Sequence, residues 1–290
     1  MSLGEFAPAK VNLFLHVGAA RPDGFHPLSS LMVFADLGDR LYGEPADRFS
    51  LAVDGPFAAH APLDEGNLVT RAARLIGEAA GLGEPRQALR LVKEIPAGAG
   101  LGGGSSDAAA ALRLLNGACG LGLETSELEE LAGRLGSDVP ACVAARPVLA
   151  EGRGERLSPA PGLPALPAVL VWPGVMAATA RVYRAFDEMG ANGSAAPPVL
   201  PTRLGSPGEA AAFLAGCRND LEAAACATEP EIAEVLELLR QSPETRLARM
   251  SGSGSACFAL CEDDGAAQAL AARVAGARPA WWARPCGLGG

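Results

Sequence analysis

The chain has 290 residues and a formal net charge of −9. This length can bury one large hydrophobic core or two ordinary ones, and we expect two domains. The excess of acidic residues argues against nucleic acid as the main partner, because phosphate backbones are bound by basic surfaces. A phosphorylated small molecule would have to be held locally, by backbone amides and a few cations.

The cysteines and the apolar stretches predict a cytoplasmic protein without a membrane span. The seven cysteines include no CxxC pair, so they predict neither a disulfide framework nor a zinc site and suit a reducing compartment. No apolar run is long enough to cross a bilayer, and Lys10 interrupts the early apolar stretch, so we do not expect a signal peptide.

Strands and helices alternate in the predicted elements. The first domain, residues 1–152, is predicted to contain strands and helices at residues 11–17, 31–37, 66–80, 88–95 and 108–115. A proline-rich connection at residues 158–167 lies just beyond the boundary. The second domain, residues 153–290, is predicted to contain a buried strand, a helix and a pair of strands, at residues 168–172, 179–189, 256–261 and 280–284.

The first predicted strand carries two polar residues that face the same way. Strand periodicity places Lys10 and Asn12 on one face. A solvated lysine at a strand edge is the ordinary interpretation. However, only Lys10 and Lys93 are lysines among the 24 basic residues, and lysine differs from arginine in being a compact charge whose pKa can be lowered. This usage favours a specific role for Lys10.

A glycine-rich loop separates the predicted strand at residues 88–95 from the helix that follows. It reads Pro-Ala-Gly-Ala-Gly-Leu-Gly-Gly-Gly-Ser-Ser-Asp, from Pro96 to Asp107. Its glycines allow positive φ and a close approach of the backbone to a ligand. The unpaired amides at the start of a helix favour an anion, so the loop predicts a phosphate site. A β-branched side chain at Gly103 is expected to occupy phosphate space or to forbid the required φ.

Other interpretations of the loop remain open. Gly98, Gly100 and Gly103 satisfy the dinucleotide pattern GxGxxG, which would make the chain a nucleotide-dependent oxidoreductase. That pattern needs a second strand ending in an acid about 20 residues further on, whereas a helix capped by Thr125 or Ser126 is predicted here. The loop lacks a Walker lysine, and the protein-kinase HRD and DFG motifs are absent from the sequence. A phosphate-binding module without catalysis and a flexible turn are further alternatives.

Three further segments have both an ordinary and a functional interpretation. Phe25 and His26 end a turn and are either a hydrophobic plug and an exposed histidine, or ligand contacts. Asp138 lies between two predicted helices, where it is either a helix cap or a reactive carboxylate. A glycine-serine loop at residues 251–256 leads into a strand, and such turns are frequent.

Together these segments resemble one superfamily, the GHMP small-molecule kinases. The resemblance covers nearly the whole chain and rests on the segments at residues 8–13, 96–107 and 251–256. It implies a two-domain α+β fold, with an N-terminal nucleotide-binding α+β domain and a smaller C-terminal ferredoxin-like α+β domain.

Within the superfamily, the segments at residues 21–26, 136–140 and 219–222 are similar to kinases of the non-mevalonate isoprenoid route that act on a cytidine diphosphate-linked methylerythritol. The resemblance implies ATP-dependent phosphorylation of the 2-hydroxyl of the methylerythritol. ATP, Mg²⁺ and a small-molecule acceptor are thus the expected ligands. It assigns catalysis to Lys10 and Asp138. Asp138 would orient the attacking hydroxyl or accept its proton, and Lys10 would hold Asp138 ionised and offset charge on the transferring phosphoryl group.

The resemblance also implies the binding residues. The loop would hold the ATP phosphates through Pro96, Ala97, Gly98, Ala99, Gly100, Leu101, Gly102, Gly103, Gly104, Ser105 and Ser106. The acceptor would contact Asn12, Phe25, His26, Thr179, Tyr183, Gly252, Ser253 and Gly254. Phe25 and Tyr183 would stack on cytosine and His26 would read the base edge. The family usually has tyrosine at position 25, and phenylalanine keeps the stacking face without the hydroxyl.

Overall fold

The computed structural model describes residues 3–62, 64–190 and 193–289. Contacts divide the chain into two compact units that are interleaved along the sequence. The first unit consists of the segments Met1–Lys10, Leu37–Ala97 and Gly102–Ala145, and the second of Val11–Asp36, Gly98–Leu101 and Arg146–Gly290. Strands β1 (Leu3–Val17) and β2 (Leu28–Pro45) therefore contribute residues to both units. The domain boundary after residue 152 stays a prediction.

The first unit combines strands and helices. Strand β4 (Gln87–Val92) pairs antiparallel with the end of β2 and parallel with β3 (Ser50–Asp54). The helices of this unit are α1 (Leu68–Ala79), α2 (Gly103–Ala118), α3 (Thr125–Gly133) and α4 (Val139–Ala144).

Helix α2 is the central helix of the first unit and packs against α1, α3 and α4. Its alanine run at residues 108–111 is fully buried, and alanine allows close packing while favouring a helix. Helix α3 begins with Glu124 as its N-cap, so the predicted Thr125 or Ser126 cap is wrong. The Glu124 amide donates to Glu127 Oε2 at 2.8 Å, which forms a capping box one residue earlier than expected.

The further strands and helices of the chain belong to the second unit. They are β5 (Val148–Gly152), β6 (Arg156–Pro159), β7 (Leu166–Trp172), α5 (Thr179–Glu188), α6 (Pro207–Ala215), α7 (Glu222–Thr228), α8 (Pro230–Gln241), β8 (Leu247–Met250), β9 (Cys257–Leu260), α9 (Asp264–Ala277) and β10 (Trp282–Leu288). Four of these strands form an antiparallel sheet in the order β10-β7-β9-β8.

This sheet has helices between β7 and β8 and one helix between β9 and β10, which is the ferredoxin-like arrangement that the resemblance implied. Strands β9 and β10 were expected to form a pair. That expectation is wrong, because β7 lies between them. A core of residues such as Val169, Phe186 and Leu236 holds the helices to the sheet.

Strand β1 is buried on both faces from Ala7 to Val17. Lys10 is only 4% exposed to solvent, and Asn12 is only 2% exposed. The interpretation of Lys10 as a solvated lysine at an edge is therefore wrong. Across the part of the chain that the structure describes, no helix combines the length and apolar character needed to cross a membrane.

Candidate active site

Lys10 and Asp138 form an ion pair within the first unit. The ammonium of Lys10 lies 3.1 Å from Asp138 Oδ2, and the two side chains are 5% and 34% exposed. A carboxylate that water still reaches, held beside a buried ammonium, combines a candidate proton acceptor with a positive charge in one place.

Asp138 is the N-cap residue of α4, but its side chain accepts no capping hydrogen bond. Its backbone is in the right-handed helical region (φ −86°, ψ −17°), whereas a capping aspartate is usually extended. The ordinary interpretation of Asp138 as a helix cap is therefore wrong. Its carboxylate is directed to Lys10 instead.

The glycine loop has the backbone conformation that its composition predicts. Gly98, Gly100 and Gly102 have φ values of +69°, +79° and +64°. Gly102 is the N-cap of α2 and offers no side chain to the helix. Ser106 N donates to Gly102 O at 2.9 Å, so the amides of the three residues between them precede the first amide that donates within the helix. These amides, at the positive end of the helix dipole, suit an anion.

Two glycines at the start of α2 are in contact with side chains of the first unit. A Cβ on Gly102 would lie 3.0 Å from Lys10 Cβ. A Cβ on Gly103 would lie 3.2 Å from Lys93 Nζ and 3.3 Å from Ile95 Cδ1, so it points into the interior. The expectation that a side chain at Gly103 would fill phosphate space or forbid a positive φ is therefore wrong. It would disturb buried charge instead.

Within the second unit, the middle of the glycine loop is bound to the glycine-serine loop at residues 251–256. Ala256 N donates to Ala99 O at 2.8 Å, and Ser251 Oγ donates to Gly100 O at 3.2 Å. A Cβ on Gly100 would lie 2.6 Å from Gly254 O, so only glycine fits. The two loops identified separately in the sequence are thus in direct contact.

Asn12 is also connected to the glycine-serine loop. Its amide donates to Ser251 Oγ at 3.1 Å, and its Nδ2 donates to Ser30 Oγ at 2.6 Å. Ser30 Oγ in turn donates to Phe14 O at 2.6 Å. These bonds fix the position of Asn12, and its contact with the acceptor stays a prediction.

His26 and Tyr183 are brought together in the second unit. Their ring centroids are 5.0 Å apart, and the edge of Phe186 packs on the His26 ring at 5.8 Å. His26 Nδ1 lies 2.9 Å from Gly18 O, which can only accept, so Nδ1 carries a proton. His26 Nε2 lies 3.3 Å from Asp187 Oδ1. The ring is buried and oriented, so the interpretation of His26 as an exposed loop residue is wrong.

Phe25 is half exposed, and its ring contacts a cation. The guanidinium of Arg153 lies 3.8 Å from the ring centroid and also donates to Asp23 Oδ2 at 2.8 Å. The Phe25 amide donates to Asp23 Oδ1 at 3.0 Å, and this hydrogen bond is the main cause that lowers the Asp23 pKa. Arg153 and Asp23 thus orient Phe25, whose stacking on a base stays a prediction.

The remaining predicted acceptor residues lie around the glycine-serine loop. Thr179 Oγ1 and Ser253 Oγ are 2.9 Å apart and share a hydrogen bond. Asn219 Nδ2 donates to Met250 O at 2.9 Å and to Gly252 O at 2.8 Å. The sequence reasoning did not give Asn219 a role, although it lies in one of the segments that carried the resemblance.

Sequence reasoning also missed two sets of buried charges. Lys93 binds Asp39 and Asp107 in the first unit, and all three are buried. Burial raises the pKa of Asp107 to about 7, against the opposing effect of Lys93. Burial alone would lower the pKa of Lys93, but the two carboxylates outweigh it and raise that pKa. In the second unit, Arg249 donates to three backbone carbonyl groups, those of Leu13, Leu214 and Cys217.

Two family profiles match the chain, "GHMP kinases N terminal domain" over residues 67–146 and "GHMP kinases C terminal" over residues 202–279. The 4-diphosphocytidyl-2-C-methyl-D-erythritol kinase of Caulobacter sp. (strain K31) is 55% identical, with 100% of this chain and 99% of the relative covered. The kinase of the same name from Hyphomonas neptunium (strain ATCC 15444) is 47% identical, with 99% and 97% covered.

Solved structures show the same similarity. A crystal structure of 4-(cytidine 5'-diphospho)-2C-methyl-D-erythritol kinase has a TM-score of 0.77 at 38% identity, covering 99% of this chain and 100% of that one. Homoserine kinase from Cytophaga hutchinsonii ATCC 33406 shares the fold, with a TM-score of 0.67 at 20% identity, covering 98% and 93%. These matches do not support the oxidoreductase alternative, and helix α3 follows α2 where a dinucleotide-binding fold needs a strand. The chain therefore belongs to the GHMP kinases and, within them, to the family of 4-diphosphocytidyl-2-C-methyl-D-erythritol kinases.

Proposed function

We propose that the chain transfers the γ-phosphoryl group of ATP to the 2-hydroxyl of 4-diphosphocytidyl-2-C-methyl-D-erythritol, in the non-mevalonate route to isoprenoid precursors. The observation that carries the proposal is the Lys10–Asp138 ion pair, in the same unit as the amides that begin α2. The names of the relatives support the choice of acceptor.

In the proposed reaction, the acceptor oxygen bonds to the γ-phosphorus while the bond from that phosphorus to the β,γ-bridging oxygen breaks. Asp138 accepts the hydroxyl proton, and ADP leaves with the bonding electron pair. Lys10 holds the Asp138 carboxylate in place through their ion pair and offsets negative charge on the moving phosphoryl group. Most of the catalytic effect then comes from placement and charge stabilisation.

The loop residues 96–106 fit a polyphosphate. Their support is the set of free amides at the start of α2, at the positive end of the helix dipole. Mg²⁺ accompanying ATP would neutralise charge on the phosphate oxygens. Within the described ranges, no group of three or more His, Cys, Asp or Glu side chains is placed to hold a metal ion. Magnesium at such sites is commonly held by the substrate phosphates together with one or two carboxylates.

The orientation of His26 supports a role in reading cytosine. With the Nδ1 proton committed to Gly18, the Nε2 atom of a neutral ring is an acceptor. The amino group of cytosine donates, whereas the corresponding oxygen of uracil does not. The base would take the place of Asp187 beside Nε2, with Tyr183 and Phe25 supplying apolar faces.

Contacts to the sugar-alcohol and diphosphate parts of the acceptor are assigned to Asn12, Thr179, Gly252, Ser253 and Gly254. Support comes from the hydrogen bonds that hold these residues in one connected part of the second unit. A cytoplasmic location is proposed with this activity. All seven cysteines are free thiols, and free thiols persist in a reducing compartment.

The test is coupled detection of ADP from purified protein with ATP, Mg²⁺ and the cytidine diphosphate-linked methylerythritol. We expect acceptor-dependent ADP release and a phosphomonoester on the 2-hydroxyl by phosphorus NMR. Homoserine and mevalonate serve as control acceptors and should give no release above background. ADP release with either control and none with the cytidine compound would overturn the proposal.

A further inference from the structure

The buried charges around Lys93 lie outside the residues proposed to carry the chemistry. Asp39 on β2 is 0% exposed, Lys93 2% and Asp107 3%. The ammonium donates to Asp39 Oδ2 and, at 2.6 Å, to Asp107 Oδ2. Two carboxylates therefore share one ammonium away from water. Such a group gains little net stability, because desolvation offsets most of the attraction.

Asp39 also binds the backbone where the chain enters the glycine loop. Its Oδ1 accepts from Glu94 N at 2.6 Å and from Ile95 N at 3.0 Å. These two residues directly precede Pro96, the first residue of the loop. One oxygen of Asp39 thus fixes the entry to the loop, and the other holds Lys93.

The same charges lie against the exit from the loop. Asp107 is in the second turn of α2, and Lys93 joins it to Asp39. A Cβ on Gly103 would lie 3.2 Å from Lys93 Nζ and 3.5 Å from Asp39 Oδ2, so the first residue of α2 packs on the ion pair. The residues at both ends of the glycine loop therefore contact the buried Asp39 carboxylate, either directly or through Lys93.

We propose that Asp39 is a positioning residue for the phosphate loop, acting through the Glu94 and Ile95 amides and through Lys93. The inference rests on the proposed function, because it takes the loop to be the ATP site. Amides bind a phosphate well only when they are already arranged, since ordering a loose loop on binding subtracts from affinity. Asp39 limits the movement of the loop ends while touching neither substrate.

The experiment compares Asp39→Ala and Asp39→Asn with the wild-type protein, measuring affinity for ATP and for the acceptor separately by calorimetry. Asp39→Ala removes both contacts, and we expect ATP affinity to fall on the order of tenfold or more. Asp39→Asn keeps an oxygen for the two amides and should recover part of that loss. Acceptor affinity should change by less than about twofold, since the contact network of Asp39 leads only to the loop.

A second measurement does not depend on catalysis. Amide hydrogen exchange should become faster in peptides covering residues 94–106 in both variants, with residues 179–189 unchanged. The matched control is Asp36→Asn, on the same strand, where an exposed carboxylate accepts from Gly287 N. It should change neither loop exchange nor ATP affinity.

Three results would overturn one of the two proposals. Unchanged ATP affinity and loop exchange in a folded Asp39→Asn protein would overturn the role of Asp39 and leave the proposed function intact. Equal losses of ATP and acceptor affinity would also overturn it, because they would indicate a general structural role. Failure of the wild-type protein to bind ATP would overturn the proposed function itself.

Discussion

The Cβ position of Gly102 lies 3.0 Å from Cβ and 3.1 Å from Cε of Lys10. The last residue before α2 is thus in contact with the stem of the lysine that pairs with Asp138. A glycine is needed there on two counts, because its φ of +64° also disfavours other residues. The end of the glycine loop and the Lys10–Asp138 pair are therefore in direct contact.

Gly102→Ala should reduce turnover by about tenfold or more, because it displaces Lys10. It should also lower the free energy of unfolding by about 1 kcal/mol or more. Steady-state kinetics and denaturant unfolding measure the two effects. Gly117→Ala, inside helix α2, is the matched control, since a Cβ there meets nothing within 4 Å. It should keep full turnover. Normal turnover in Gly102→Ala would show that Lys10 does not need its observed position.

Asp138→Asn and Lys10→Ala should each lower turnover by on the order of a hundredfold or more, while ATP binding persists. Lys10→Arg should also be impaired, because a guanidinium is larger and cannot make the same point contact. Rapid-quench kinetics and calorimetry with an ATP analogue separate the two quantities. Near-normal turnover by a folded Asp138→Asn protein would remove the proposed base.

The cytidine substrate should be preferred over its uridine analogue by ~10- to 1,000-fold in kcat/KM, because His26 and nearby backbone groups would be left mismatched by uracil, at about 1 to 3 kcal/mol for each buried group. His26→Ala should shrink that ratio. Phe25→Leu should weaken both acceptors alike, since stacking does not distinguish the two bases. Equal use of the two acceptors by wild-type protein, or an unchanged ratio in His26→Ala, would contradict the assignment of His26.

The stability of Asp107→Asn relative to wild type should depend on pH. Burial raises the Asp107 pKa from its ordinary value of 3.8 to about 7, so the folded protein holds an extra proton between these values. The contribution of Asp107 to the unfolding free energy of the wild-type protein is then present at low pH and is lost as the pH rises towards about 7. Asparagine carries no such proton.

We therefore compare the unfolding free energies of Asp107→Asn and wild type at each pH. As the pH rises from about 5 to about 8, this difference should shift in favour of the variant by about 1 kcal/mol or more. Urea unfolding at several pH values measures the difference. Asp54→Asn, an exposed carboxylate beside Arg90, is the control and should show little change. A flat difference for Asp107→Asn would mean that this carboxyl titrates normally.

Much of the candidate site could be identified from the sequence, because its main segments are local. The glycine loop, the turn with His26 and the segment with Asp138 each carry their signal within a dozen residues. The pairing of Lys10 with Asp138 could not be derived from spacing, since the two residues are far apart in the chain, and it entered only through the resemblance.

Asp39 and Arg249 were missed for a physical reason. Their roles depend on partners that folding brings together, such as Lys93 for Asp39 and the carbonyl of Leu13 for Arg249. The sequence did contain an indirect signal for Asp39, through its partner Lys93. The scarcity of lysine that drew attention to Lys10 applies equally to Lys93, and a buried lysine needs a carboxylate partner.

The interleaving of the two units means that no single cut in the chain separates them. Residues 11–36 belong with the second unit although they come early in the sequence. A fragment ending at residue 152 would keep those strand residues without the sheet and helices that cover them, and its apolar strand faces would be left in water. The second half expressed alone would lack the same strands. Neither half is then expected to fold unaided.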